Sequence, residues 1–461
     1  MLKVGQKIKI EIEKIVNGGE GLGYVDNFAV FVPMSVPKDI LEVEVISCKK
    51  TYARALITKI ISSSEERIEN KSKIGFEEFD GCNFAMLKYD AQLKYKKIIV
   101  EDVMHKLAGL KDFKLDRIIE SSQIYNYRNK VIEPFSFLFS PNGEKKIISG
   151  FFKRKSHEVF ETEFNILNSK LGNKIIKELK IILNRYKISV YDENQNKGIL
   201  RNVMLRTNSQ NEAMLVLIVN VQEKYLKDKN NILFKVLDEI KNKFSEIKSI
   251  YLSINNKKTN KVMGEKNILI SGDKILKENI EGINFNISPT SFFQINLEQA
   301  KKIYQIGIKF LGNIENKHIV DAYSGTGTIA MILAKKAKKV YSIELIKSAT
   351  EDGKKTAKEN NIKNIEFING FVEKELETLI KNQKQIDTII FDPPRKGLEK
   401  SIIDKVAELN LQEIVYISCN PSTLARDIKL FSEKNYKLKK LEAVDMFPQT
   451  SHIECVALLS K

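Results

Sequence analysis

The sequence is poor in the residues that staple or metallate a fold. Its 461 residues include four cysteines, Cys48, Cys82, Cys419 and Cys455, and four histidines. The cysteines are too few and too scattered for a disulfide framework, and none forms a C-x-x-C pair. The histidines are dispersed, with no pair at ligand spacing, so no metal is expected. No apolar run is long enough to span a bilayer. The N-terminal MLKVGQKIKIEIEK alternates apolar and polar residues where a secretory signal would carry an apolar core. A cytoplasmic protein without a membrane partner is the expectation.

What is present is length and positive charge. A chain of 461 residues exceeds the size at which one core stops growing, which implies two or three domains. The balance of 76 Lys+Arg against 59 Asp+Glu, a formal charge of +17, suits a partner rich in phosphates. RNA, DNA and an anionic membrane all fit, and lysine-rich composition also raises charge without any polyanion.

Short period-2 runs from Gly5 to about Ile60, among them Ile8/Ile10/Ile12, Phe28 to Val32, Leu41/Val43/Val45 and Ala53/Ala55/Ile57, predict a small barrel of five short strands, with glycine turns at Asn17-Gly18-Gly19 and Gly21-Leu22-Gly23. Barrels of this kind bind single-stranded nucleic acid, or serve as spacers. The stretch SSSEERIENKSK reads as a linker. Between about 61 and 285 helical runs such as Gln92 to Leu110 mix with strands such as Ala213 to Val219 and Ser249 to Ile254. Beyond 285, HIVDAY, VYSIEL, IEFING, DTIIFD and EIVYISC alternate with amphipathic helices, the pattern of a doubly wound parallel sheet.

Three motifs fall at strand ends of that sheet. In Asp321-Ala-Tyr323-Ser-Gly325-Thr-Gly327, the glycines allow a cofactor close to the backbone, and Glu344 ends the next strand where an acid holds ribose hydroxyls. Alone, this pattern also fits a dinucleotide enzyme. Asp392-Pro-Pro-Arg395-Lys-Gly-Leu follows DTIIF and points into the crevice at the carboxyl ends of the strands. Amino-methyltransferases follow a similar Asp-Pro-Pro with an aromatic residue, whereas Arg395 stands here. In Ser418-Cys419-Asn420-Pro421, Asn420 is an N-cap and Pro421 a first helical residue, which sets Cys419 before a helix N-terminus. The helix's positive end should favour the thiolate. A thiolate that adds to C6 of uracil makes C5 nucleophilic, and a carboxylate must then remove the C5 proton. Glu454 in HIECVALLS is the candidate, with Cys455 structural.

SPTSFFQIN, DAYSGTGT, DPPRKG, SCNPSTLARD and HIECV together, in this order, resemble the RNA 5-methyluridine methyltransferases over nearly the whole chain. The segment GEGLGYVDNFAVFVP resembles the TRAM domain, an OB-like RNA-binding module. The resemblance implies an α/β chain in three parts: a TRAM-like barrel at 1–60, a central α+β RNA-binding domain at 61–285 and a Rossmann-like methyltransferase domain at 286–461, with segment 92–115 able to pack on the last. It implies S-adenosyl-L-methionine as cofactor, held by Gln294, Tyr323, Gly325, Gly327, Glu344 and Asp392. It also implies Cys419 as nucleophile, Glu454 as proton acceptor, and RNA contacts at Arg128 and Lys130 in NYRNKV and Arg201 in KGILRNVMLR. The TRAM resemblance favours 23S rRNA over tRNA as substrate, with a monomeric enzyme. The remaining alternatives are an RNA 5-methylcytosine methyltransferase, which carries its cysteine in a Pro-Cys context absent here, and a non-catalytic ribosome-assembly factor. Many members hold an iron–sulfur cluster on four cysteines. Here Cys82 alone remains, with Lys73, Phe79 and Phe164 standing at the other positions, so no cluster is expected.

Overall fold

The chain is described by a computed structural model over residues 2–68, 80–140, 142–153, 156–161, 164–228 and 231–461. Cys82 is buried and Phe164 exposed, while Lys73 and Phe79 lie outside the described residues. Two compact units emerge, one of residues 1–124 with 298–461 and one of residues 125–297.

The first unit begins with strands β1 (Lys7–Glu11), β2 (Lys14–Ile15), β3 (Gly21–Val25), β4 (Phe28–Val32), β5 (Ile40–Cys48) and β6 (Tyr52–Ser62), in sheet order β1-β5-β6-β4-β3-β2. Period-2 patterning does its expected work. Leu41, Val43 and Val45 of β5 and Ala53 and Ala55 of β6 face one core with Ile10, Val30 and Val32, each large side chain contributing about 1.5–3 kcal/mol by leaving water. The sheet rolls until β3 meets the end of β1: a Cβ on Gly23 would lie 2.2 Å from the Glu11 carbonyl. One strand more than expected is present, and β2, two residues long, is too short for periodicity to reveal. The expected linker is tied down at its start. Buried Asp39 accepts hydrogen bonds from Val36 N at 2.7 Å and Ser64 N at 2.9 Å, and from the Arg67 guanidinium. A carboxylate with so many donors anchors the segment that a count of polar residues reads as free.

Helix α1 (Tyr89–Val103) runs into a π-helical turn at Met104–Ala108, and strand β7 is Arg117–Ile119.

The second unit holds strands β8 (Lys130–Phe139), β9 (Lys145–Phe152), β10 (Val159–Glu161), β11 (Leu200–Thr207), β12 (Ala213–Val219), β13 (Ile247–Ile254) and β14 (Lys266–Gly272), in order β10-β9-β8-β11-β12-β13-β14. Helices α2 (Lys170–Arg185) and α3 (Ile232–Lys243) bury their apolar faces with this sheet in one core. Ser169 and Asn231 cap them by accepting from Gly172 N and Leu233 N. A hairpin, β15 (Leu276–Ile280) with β16 (Ile283–Ile287), completes the unit.

Back in the first unit, an eight-stranded sheet combines β17 (His318–Ala322), β18 (Lys339–Glu344), β19 (Ile365–Asn369), β20 (Thr388–Phe391), β21 (Glu413–Ser418), β22 (Lys437–Val444) and β23 (Glu454–Ser460) with β7, in order β19-β18-β17-β20-β21-β23-β22-β7. The five motif-bearing strands are parallel, and β23 enters antiparallel to β21. Helices α4 (Leu297–Leu311), α5 (Thr328–Ala334), α6 (Lys347–Glu359), α7 (Val372–Lys381), α8 (Lys400–Glu408) and α9 (Pro421–Ser432) follow in the chain. Alternate residues feed two cores: Val320, Ile389, Phe391 and Tyr416 pack with α1, α7, α8 and α9, while Ile319, Ile390, Val415 and Ile417 pack with α4 and α5. Strand order reverses between β17 and β20, the switch point where such sheets bind ligands.

Candidate active site

At that switch point the motif after β17 makes a cradle. Buried Asp321 is the last residue but one of β17, its Oδ2 accepting from Ala330 N of α5 at 2.8 Å while Oδ1 meets no donor among the described residues. Tyr323 turns the chain with φ +65°, and the glycines continue in the left-handed region, Gly325 at +57° and Gly327 at +77°. A Cβ on Gly327 would strike Phe367 at 2.8 Å, whereas one on Gly325 would enter open space. Glu344 closes the cradle from the end of β18. Its Oε2 accepts from Gly325 N at 2.9 Å and its Oε1 from Ile346 N at 2.8 Å, which leaves lone pairs on each oxygen for hydroxyl donors.

Asp392 follows β20, whose register with β17 ends at Ala322–Phe391 and so sets Asp392 beside Tyr323. Burial pushes the Asp392 carboxyl up to about 7. Burial, with the charges of Asp392 and Glu344, pushes Asp321 up to about 8. Two buried carboxyls that resist ionisation, beside the charge of Glu344, favour a cationic ligand. S-adenosylmethionine fits: it carries a sulfonium and an ammonium, and two ribose hydroxyls for Glu344. Exposed Leu345, Ile346 and Phe371 add an apolar rim at the ends of β18 and β19. Sequence reading missed them, although apolar residues directly after a ribose-type acid and after the next strand's Asn369-Gly370 were the available signal.

Cys419 follows β21. Asn420 caps α9 as expected, its Oδ1 accepting from Ser422 N at 3.1 Å, with Pro421 in the first turn. The β21–β23 register runs to Ser418–Cys455, so the next position sets Cys419 against Glu454; antiparallel neighbours have Cα atoms about 4.5–5.5 Å apart. The expected thiolate is corrected by this arrangement. Burial first, then the Glu454 and Asp392 carboxylates, push the Cys419 thiol up to about 11, against the lowering influence of Arg395. A helix terminus contributes about 0.3–1 kcal/mol and is outweighed. Burial and Asp392 likewise raise Glu454 well above the carboxylate range. Cys455 is fully buried in the core.

Residues that carried no assignment in the sequence hold the Asp392–Leu398 loop. Asp427 Oδ2 accepts from Leu398 N at 2.8 Å and Tyr416 Oη at 2.7 Å. Arg426 donates to the Lys396 and Leu398 carbonyls, and Asn420 Nδ2 to that of Arg395 at 3.2 Å. Part of the SCNPSTLARD motif therefore fixes the neighbouring DPPRKGL loop.

The other candidates lie in the second unit. The Gln294 carbonyl accepts from Asn129 Nδ2 at 2.9 Å, and Ile295 O from Asn129 N at 2.9 Å. Arg206, buried and unremarked in the sequence, donates to Ser291 O of the same segment. Lys130 stands opposite Arg206 across the β8–β11 ladder and is pushed down to about 8 by burial and that neighbouring charge. Buried Nε atoms of Arg128 and Arg206 meet no acceptor among the described residues. Arg201 is engaged within its own unit, donating to Asn255 O at 3.0 Å and Lys257 O at 2.9 Å and lying 4.2 Å over the Tyr191 ring.

Comparison with known proteins agrees with this geometry. Residues 88–461 match the model of the tRNA (uracil-5-)-methyltransferase family, and residues 2–58 that of the TRAM domain. An uncharacterized RNA methyltransferase of Fusobacterium nucleatum is 68% identical over 461 residues, spanning 100% of this chain and 97% of the relative. Another from Clostridium acetobutylicum is 36% identical, spanning 100% and 98%. Among solved structures, the Pyrococcus abyssi tRNA (uracil-54, C5)-methyltransferase in complex with S-adenosyl-L-homocysteine superposes with a TM-score of 0.75 at 27% identity, over 98% of this chain and 100% of that one. No helix among the described residues is long and apolar enough to cross a membrane. The chain belongs to the tRNA (uracil-5-)-methyltransferase family, as an S-adenosylmethionine-dependent RNA (uracil-5-)-methyltransferase with an N-terminal TRAM domain.

Proposed function

We propose that this enzyme methylates C5 of a uridine in 23S rRNA through a covalent adduct between Cys419 and C6 of the base, and acts as a monomer. The observation that carries the chemistry is the register that sets Cys419 against Glu454 beside the Asp392 loop. S-adenosylmethionine supplies an electrophilic methyl group when bound, with Tyr323, Gly325, Gly327, Glu344 and Asp392 as its proposed contacts. The ionised sulfur of Cys419 adds to C6, and the electron pair of the C5–C6 bond moves into the C4 carbonyl as an enolate, which makes C5 the nucleophile. After C5 is methylated, Glu454 takes the C5 proton, the C5–C6 double bond re-forms and the sulfur leaves. A carboxylate whose burial strengthens its hold on a proton suits that step. Arg128 and Lys130 are proposed phosphate contacts; Arg201, already bonded to two carbonyls, is a weaker one.

RNA containing 5-fluorouridine tests the mechanism, since fluorine cannot leave as a proton does. Wild-type enzyme should form an adduct that survives denaturation; no adduct, or one that persists in Cys419→Ala, overturns it.

A second reading of the target is a tRNA uridine. The tRNA-modifying enzyme of Pyrococcus abyssi superposes on 98% of this chain, too much to leave the barrel out, so a barrel does not separate rRNA from tRNA enzymes. Mass mapping of both RNAs from a deletion strain decides: loss of 5-methyluridine from 23S rRNA supports the first target, and loss from tRNA replaces it.

A further inference from the structure

The turn between β2 and β3 is closed by Gly19 N donating to Val16 O at 2.9 Å and Val16 N to Glu20 O at 3.0 Å. It is fastened to two places outside the barrel. Asn17 Nδ2 donates to Ser422 Oγ at 2.6 Å, in the first turn of α9 and three residues beyond Cys419. The Gly18 carbonyl accepts from Asn83 Nδ2 at 3.2 Å, and the same nitrogen donates to Ser451 Oγ at 2.9 Å. Asn83 Oδ1 in turn accepts from Ser451 N at 2.8 Å, three residues before Glu454. Gly19, with φ +85°, is seated against this joint: a Cβ there would lie 2.5 Å from Asn83 Nδ2 and 2.6 Å from Ser451 Cβ. The Ser451 segment is gripped from behind as well. Phe84 N donates to Gln449 O at 3.0 Å, and the Gln92 side chain donates to Gln449 Oε1 and accepts from Gln449 N. One barrel turn thus touches the helix that starts behind the thiol and the segment that delivers the carboxylate.

We infer that the Asn17–Gly19 turn of the TRAM barrel is a positioning element of the active site, holding the Cys419 and Glu454 supports at fixed spacing, in addition to any RNA contact the barrel makes. This rests on the proposed roles of Cys419 and Glu454. Displacements of about 1 Å in a reacting constellation slow chemistry by up to about 100-fold without touching the reacting groups. A handle that only gathers RNA would instead change affinity.

The test uses the full-length enzyme with 23S rRNA and tRNA transcripts, taking whichever accepts methyl groups. It measures single-turnover methylation at saturating RNA and S-adenosylmethionine, RNA affinity by filter retention, and adduct formation with the 5-fluorouridine transcript. Gly19→Ala is expected to slow methylation and adduct formation about tenfold or more, with RNA affinity within about twofold of wild type. Ser451→Gly, which removes the two Ser451 atoms that the new Cβ meets and leaves the Asn83 side chain room to shift, should restore part of the rate to Gly19→Ala. Asn17→Ala removes only an exposed side chain and keeps the fold testable. Its effect and that of Ser422→Ala should fail to add in the double variant, because they break one bond. Wild-type rates in Gly19→Ala and Asn17→Ala, or losses that vanish at saturating RNA, overturn the inference. Adduct formation by Cys419→Ala would instead sink the nucleophile assignment, whatever the turn variants do.

Discussion

Cys419, the residue after β21, and Glu454, the first residue of β23, each lie one position beyond the last antiparallel pair Ser418–Cys455, and the charge of Glu454 bears on the thiol. The Glu454 carboxylate makes ionisation of the Cys419 thiol harder, because two negative charges close together and shielded from water repel strongly. In the cofactor-free enzyme, iodoacetamide should alkylate Cys419 slowly at neutral pH, the rate climbing toward a midpoint near 11. Glu454→Gln removes a charge that raises the thiol, so the midpoint should move down, and a midpoint that stays put or rises would show that the two groups are not coupled. The same variant should still form the 5-fluorouridine adduct, yet release methylated RNA slowly. Unchanged turnover would remove Glu454 from its role.

Asp321 links cofactor recognition to stability. Burial first, then Asp392 and Glu344, lift its carboxyl from an ordinary 3.8 to about 8 in the folded chain. The folded state therefore holds the proton more tightly than the unfolded state, and this contribution is complete below about pH 4 and lost as pH rises through 8. The free enzyme's melting temperature should fall between pH 5 and 8.5, with Asp392, raised to about 7, adding to the slope. Asp321→Asn keeps an oxygen for Ala330 N and removes the charge. It should melt above wild type at pH 8.5, by about 1 °C for each kcal/mol recovered in a chain of this length, and bind S-adenosylhomocysteine more weakly. An unchanged slope in a calorimetric pH series counts against the assignment.

Much of this was legible because it is local. Alternation at Leu41, Val43 and Val45 reports one buried face, and a strand followed by an amphipathic helix reports a parallel sheet, whatever the partners are. The cap at Asn420 is local too. The Asn83–Ser451 joint spans 368 residues, and nothing in either segment's composition announces it. Arg206 reads as another basic residue on a strand until folding buries it beneath Ser291 O. The sign of the Cys419 shift was misjudged for a related reason. The helix terminus is written in the sequence beside the cysteine, whereas the burial and the opposing carboxylates come from β20 and β23, elsewhere in the chain.

Tyr416 and Asp427 offer a test of the loop that carries Asp392 and Arg395. The Tyr416 hydroxyl donates to Asp427 Oδ2 at 2.7 Å, and the same oxygen accepts from Leu398 N. Tyr416→Phe leaves a buried carboxylate one donor short, at a cost of about 1–3 kcal/mol. Asp427→Ala strands Leu398 N and Tyr416 Oη together, and should cost more. Denaturant melts should rank the two variants in that order, with methylation falling in step with the loosened loop. Equal stability of both variants to wild type would mean that the loop is held elsewhere.

The last expectation concerns iron. The resemblance places a four-cysteine cluster in relatives where this chain keeps Cys82 alone, and a single thiolate cannot hold an iron–sulfur cluster. Cys82 is buried, and Phe84 and Met86, which follow it in the chain, pack in a core with Tyr95 and Ile99 of α1. Packing can thus supply what a cluster supplies elsewhere, because buried cysteine behaves as a small hydrophobe. Protein purified without oxygen should contain far less than one iron per chain and show no visible charge-transfer band. Cys82→Ala should lower the melting temperature modestly and leave methylation at its wild-type rate. Stoichiometric iron that disappears in Cys82→Ala would require ligands from other residues and would reinstate a metal centre.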